Sequence, residues 1–161
     1  MRAYVPATVP LLARWRSAEA IDAELVFAVT PGLREWYATD DTEELEYAAL
    51  TEAARASLLL LAADPAAPRR RVVLAVDAPG AEPGPDLGRA GVRVAGPLAL
   101  EAVAAVHADD GAAEPAVRAA AAAIDGAAAG DSDAEQTVAE ADEHELLWYG
   151  NQEISDLLAQ S

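Results

Sequence analysis

The sequence predicts an α/β (or α+β) fold, a mixed sheet of about five short strands packed with a long central helix and followed by a helical C-terminal region. Three observations lead there. Continuous apolar runs begin at Leu25 and Arg71, as in strands covered on both faces. The stretch from Glu43 to Ala63 keeps a three- and four-residue apolar spacing for longer than a strand lasts. Strand and helix alternate through the first half, which favours some parallel pairing because parallel neighbours need a crossover helix.

Arg2 to Val5 is a short strand closed by Pro6, and Thr8 to Ala18 a brief helix with Leu11, Leu12 and Trp15 on one face. Leu25 to Val29 is an interior strand ended by Thr30, Pro31 and Gly32. The long helix has Asp41 as its cap and Glu44 three residues on, and Pro65 stops it by pushing Asp64 out of the helical region. Arg71 to Asp77 is a second interior strand, preceded by the basic cluster Arg69 to Arg71. It is expected to lie beside the strand at Leu25.

Residues 78–91 form a Pro/Gly-rich loop, and Val92 to Ala95 and Val103 to His107 are two more short strands. Pro115 opens a helix striped by Val117, Ala120, Ala121 and Ile124, with Gly126 at its stop. Ser132 and Glu135 make a capping-box pattern for a helix carrying Val138, Ala141 and Trp148. Ile154, Leu157 and Leu158 give a last short helix. A chain of 161 residues fits one globular domain, 1–161.

Composition narrows the chemistry. There is no cysteine, which removes disulfides, thiolate zinc sites and cysteine nucleophiles, and two histidines leave little imidazole chemistry. Pro6, Pro10, Arg14 and Arg16 interrupt any secretory pattern, and the longest apolar run, Leu58 to Ala63, is far shorter than the roughly 20 residues of a membrane span. A cytoplasmic setting without membrane contact is expected. The formal charge is −17, with 8 Arg against 12 Asp and Glu in residues 1–80 and 3 against 16 in residues 81–161. Such a surface repels phosphate, so direct nucleic-acid binding is not expected, whereas a basic protein partner is favoured.

The blocks Tyr4 to Thr8 (YVPAT), Phe27 to Tyr37 (FAVTPGLREWY), Glu43 to Leu50 (EELEYAAL), Arg70 to Ala75, His144 to Tyr149 (HELLWY) and Gln152 to Ile154 carry a resemblance. With them the chain resembles a family of small uncharacterised acidic proteins, a domain of unknown function, from high-GC Gram-positive bacteria. The resemblance covers nearly the whole chain and implies a bacterial cytosolic setting, but no activity, ligand or catalytic residue.

Three groups of residues are candidates for function. Arg34, Glu35, Trp36 and Tyr37 follow a strand end, where an open sheet with parallel strands places its ligand crevice. They would bind through large aromatic area and a guanidinium fork, or they would seal the core beside the cap of the long helix. His144, Glu145, Trp148 and Tyr149 lie in the most acidic part of the chain. Read as helical, they cannot all face one partner, because neighbours point about 100° apart. Asp77, His107, Asp109 and Asp110 sit at strand ends and would converge if the two strands were adjacent and parallel, giving a site for a hard cation or for acid–base catalysis. Asp109-Asp110-Gly111 is also ordinary turn chemistry.

Phosphate-binding glycine loops, zinc-protease spacing and a serine nucleophile elbow are missing from the sequence. No cofactor and no metal-ligand motif is indicated. The sequence is therefore read as a non-catalytic acidic binding or adaptor protein engaging a basic protein partner. The alternative is a small metal-dependent enzyme or metal binder using the strand-end carboxylates. A further one is an acidic mimic of nucleic-acid charge built on residues 131–145.

Overall fold

The computed structural model describes residues 1–161 apart from the side chain of Pro85. Its elements run β1 (Arg2–Ala7), α1 (Val9–Ala18), β2 (Ala20–Ile21), β3 (Leu25–Ala28), α2 (Pro31–Tyr37), α3 (Thr42–Ala63), β4 (Val72–Asp77), β5 (Glu82–Pro83), β6 (Gly91–Arg93), β7 (Leu98–Ala99), β8 (Val103–Ala108), α4 (Glu114–Ala128), α5 (Ser132–Asp142), β9 (Leu147–Gly150) and α6 (Ile154–Ala159). Seven strands form the main sheet in the order β5-β6-β3-β1-β4-β8-β9, and β2 pairs with β7 apart from it.

Every pairing is antiparallel. The expected mixed sheet of about five strands is thus corrected to an antiparallel sheet of seven. The physical reason lies in β1. Both β3 and β4 pair antiparallel with it, so those two run parallel to each other and α3 does cross between them, but β1 is inserted in the gap. The apolar runs at Leu25 and Arg71 are interior as expected, yet stand one strand apart rather than side by side.

Two faces of the sheet bury different layers. Val5, Val26, Leu74 and Val106 pack with Leu12 and Trp15 of α1 and Leu157 of α6 on one side. On the other, Tyr4, Phe27, Val73 and Ala105 pack against Leu45, Ala49 and Ala53 of α3. Alanine suits that second layer, because a small side chain lets a helix approach the sheet closely. Farther along α3, Leu58 and Leu61 meet Val117, Ile124 and Val138 of α4 and α5 in a helical cluster.

Capping fixes the long helix where the sequence placed it: Asp41 accepts from the Glu43 and Glu44 amides at 3.0 and 3.3 Å. Its other end is held by Arg69, whose guanidinium donates to the carbonyls of Leu61, Asp64 and Ala67. In the second half the boundaries move. The cap of α5 is Asp131 rather than Ser132, accepting from the Asp133 and Ala134 amides. That helix ends at Asp142, so Trp148, expected on it, lies on β9 instead. The loop at 78–91 contains the two-residue β5 and the start of β6. Among the described residues, no helix is long and apolar enough to cross a membrane.

Candidate functional site

The first half of α3, from Tyr47 to Ala54, and the strand pair β8–β9 enclose a cleft of about 510 Å³ on the α3 face of the sheet. Its walls come from distant parts of the chain: Tyr47, Leu50, Thr51 and Ala54 from α3, His107 from β8, and Asp142, His144, Glu145, Leu146 and Trp148 from the end of α5 through β9. Arg71 forms the floor. Because the β8–β9 register sets His107 directly opposite Trp148, their side chains share one face as cross-strand neighbours.

The floor is an ion pair sealed from water. The Arg71 guanidinium and the Asp109 carboxylate are 2% and 1% exposed and meet through two bonds, Nε to Oδ2 at 2.9 Å and Nη2 to Oδ1 at 2.7 Å. Asp109 Oδ2 also accepts from the Arg71 amide at 2.8 Å, while Arg71 Nη2 donates to the His144 carbonyl at 3.0 Å. A bidentate pair reinforced by two further hydrogen bonds, one from the Arg71 amide and one to the His144 carbonyl, is the arrangement in which buried charges persist. Asp142 bridges outward, 3.8 Å from Arg71 and 2.7 Å from Arg55.

At the rim, Tyr47 and Trp148 are 59% and 62% exposed. Glu145 is exposed as well and forms no ion pair among the described residues. Burial, helped by the positive charge of Arg2, holds the His107 imidazole below the usual histidine range. That side chain is therefore a neutral, amphipathic wall at physiological pH. The cleft thus presents two aromatic faces, a neutral imidazole and an unpaired carboxylate above a neutralised floor.

The candidate groups from the sequence fare differently. His144, Glu145 and Trp148 come together, and the second histidine, His107, joins them. Tyr149 does not, since alternation along β9 sends it to the opposite face, where its hydroxyl accepts from Arg70 at 3.2 Å. The group of Asp77, His107, Asp109 and Asp110 is broken up. His107 pairs with Val73 in the β4–β8 register, so Asp77 lies four residues away at the far end of that pair. Asp109 is consumed by Arg71, and Asp110 accepts from the Ala112 amide at 2.9 Å to start a short turn. Among the described residues, no three carboxylate or imidazole groups are arranged to hold a metal ion.

Arg34, Glu35, Trp36 and Tyr37 are exposed on α2, a short helix that follows β3. The Arg89 guanidinium stacks 3.4 Å from the centre of the Trp36 ring. β3, which leads into α2, stands four strands from β9, about 19 Å at ~4.8 Å per step. The two aromatic sets therefore cannot serve one small ligand.

A model of a family of unknown function matches residues 1–158. This chain belongs to the DUF6912 family. No curated protein and no solved structure matches it. For a DUF6912 member the functional reading thus rests on the cleft itself. Sequence reasoning missed Tyr47, Asp142 and Arg71 as its parts. A tyrosine on the outer face of an alanine-rich helix was the one legible sign, because nothing local in the run Arg69 to Arg71 separates the buried arginine from its neighbours.

Proposed function

We propose that this protein is a non-catalytic binding protein that engages a basic protein partner through the cleft between α3 and the β8–β9 edge. The observation that carries the reading is the pairing of two large exposed aromatic side chains, Tyr47 and Trp148, with the unpaired carboxylate of Glu145 around one concavity. An arginine or lysine of the partner would lay its aliphatic stem and cationic head against the aromatic faces and end at Glu145. The neutral state of His107 supports this, since a protonated imidazole would repel the incoming cation. The overall charge of −17 would speed the encounter and make it sensitive to salt.

Titration of the protein into a fluorescent peptide of alternating arginine and valine, at low and at physiological salt, tests the reading. Saturable binding that weakens with salt is expected, with Trp148→Ala lowering affinity about tenfold or more, as for an aromatic anchor. Trp36→Ala, on the other flank, serves as the control and should leave affinity unchanged. Absence of binding, or binding indifferent to Trp148→Ala, would overturn it.

A further inference from the structure

The two edges of the main sheet are built differently. One edge, β5, is only Glu82–Pro83, and a proline with an acid on a two-residue strand cannot template another chain. The other edge, β9, reads Leu-Trp-Tyr-Gly, without a proline, a charge or a bulge in its pairing to β8. Soluble proteins normally blunt such an edge.

Its outward hydrogen-bonding groups can be assigned. The Asp109 amide donates to the Arg71 carbonyl at 3.2 Å, so Asp109, His107 and Ala105 turn their main-chain groups toward β4. Val106 and Ala108 then turn theirs toward β9, where they meet Tyr149 and Leu147. By the same alternation the N–H and C=O of Trp148 point away from the sheet. Gly150 has the same phase, and its N–H is already taken by Glu153 Oε1 at 3.0 Å. What remains open on this edge is the main chain of Trp148.

Both faces beside β9 are hollowed. On the α3 side lies the acidic cleft with Trp148; on the other, a charge-balanced depression of about 300 Å³ is lined by Tyr149, Arg69, Arg70, Asp110 and Glu114. A strand added at an edge projects its side chains alternately to the two faces, so each hollow would receive alternate residues of one extended segment.

We infer that β9 is the docking edge of this protein, and that an extended basic segment of the partner adds to the sheet there as an eighth strand, exchanging main-chain hydrogen bonds with Trp148. Charge complementarity selects this occupant. Residues 140–153 contain Glu140, Asp142, Glu143, Glu145 and Glu153 with no arginine or lysine, so a second copy of the chain is repelled while a basic segment is attracted. The inference rests on the proposed binding function and adds its geometry.

The same alternating arginine–valine peptide tests it through amide hydrogen exchange of the protein, read by NMR with and without saturating peptide. The Trp148 amide should exchange at least tenfold more slowly in the complex. Versions of the peptide N-methylated on alternate residues, in either phase, keep the charge but remove the donors along one edge. At least one phase should bind tenfold or more weakly than the parent. Should the parent bind with unchanged Trp148 exchange, or both methylated peptides bind as well as the parent, strand addition is overturned while the basic-partner reading stands. If the parent does not bind at all, both fall together.

Discussion

His107 shares a face with Trp148, and its imidazole is kept neutral mainly by burial. A histidine whose folded-state pKa lies below the ordinary value of 6.5 resists protonation that the unfolded chain accepts. Its contribution to stability is therefore complete above about pH 6.5 and is lost as the pH falls toward the depressed folded value. The other charged and imidazole groups that line the cleft are Arg71, Asp142, His144 and Glu145, so a variant, and not the slope alone, assigns the effect to His107. Urea denaturation between pH 7.5 and 5.5 should show stability falling with acid, and His107→Gln should flatten that slope. An unchanged slope in the variant would assign the effect elsewhere. At this scale the sequence was only partly readable. That two isolated histidines meet in one cleft depends on strand register, which no local spacing encodes.

Arg71 and Asp109 do their work between elements. Arg71 precedes β4 and Asp109 follows β8, so the pair locks the ends of those neighbouring strands, while the bond from Arg71 to the His144 carbonyl pins the connection from α5 to β9. Asp109→Ala would leave a guanidinium buried without its counter-charge, a loss of about 3–5 kcal/mol for a pair of this kind. Chemical denaturation should show that fall, and the cleft should loosen with it because His144 and Trp148 hang from the same connection. A cost below about 1 kcal/mol would mean that water reaches the arginine. The elements were legible where burial imposes a pattern: α3 through its spacing and its Asp41 cap, β4 and β8 through apolar runs. β9 was not. Its Leu147 and Trp148 are exposed on opposite faces, so an edge strand with two apolar sides resembles the apolar stripe of a helix. The antiparallel sheet was equally hidden, since α3 is a true crossover and nothing in its sequence reveals that β1 fills the space between the strands it joins.

For the whole molecule, charge and packing pull in opposite directions. The core is rich in alanine, which contributes little transfer free energy per residue, while a net −17 spread over 161 residues works against compaction through self-repulsion. The ion pairs compensate locally: Arg93 to Asp86, Arg118 to Glu114 and Arg55 to Asp142 are surface contacts of small individual value. Most carboxylates have no arginine to meet, as there are 28 acids and 11 arginines. Added salt shortens the reach of repulsion to about 8 Å at physiological strength and about 3 Å at 1 M, and it weakens these few surface pairs less than it relieves the many unpaired acids. The melting temperature should thus rise with sodium chloride. If screening returns about 1–2 kcal/mol, the rise is roughly 2–8 °C for a chain of this length. Calorimetry from low salt to 1 M sodium chloride checks this. A melting temperature that falls would show that the attractive pairs outweigh the repulsion, and it would weaken the electrostatic case for a basic partner, because the same unpaired carboxylates are the ones proposed to draw that partner in.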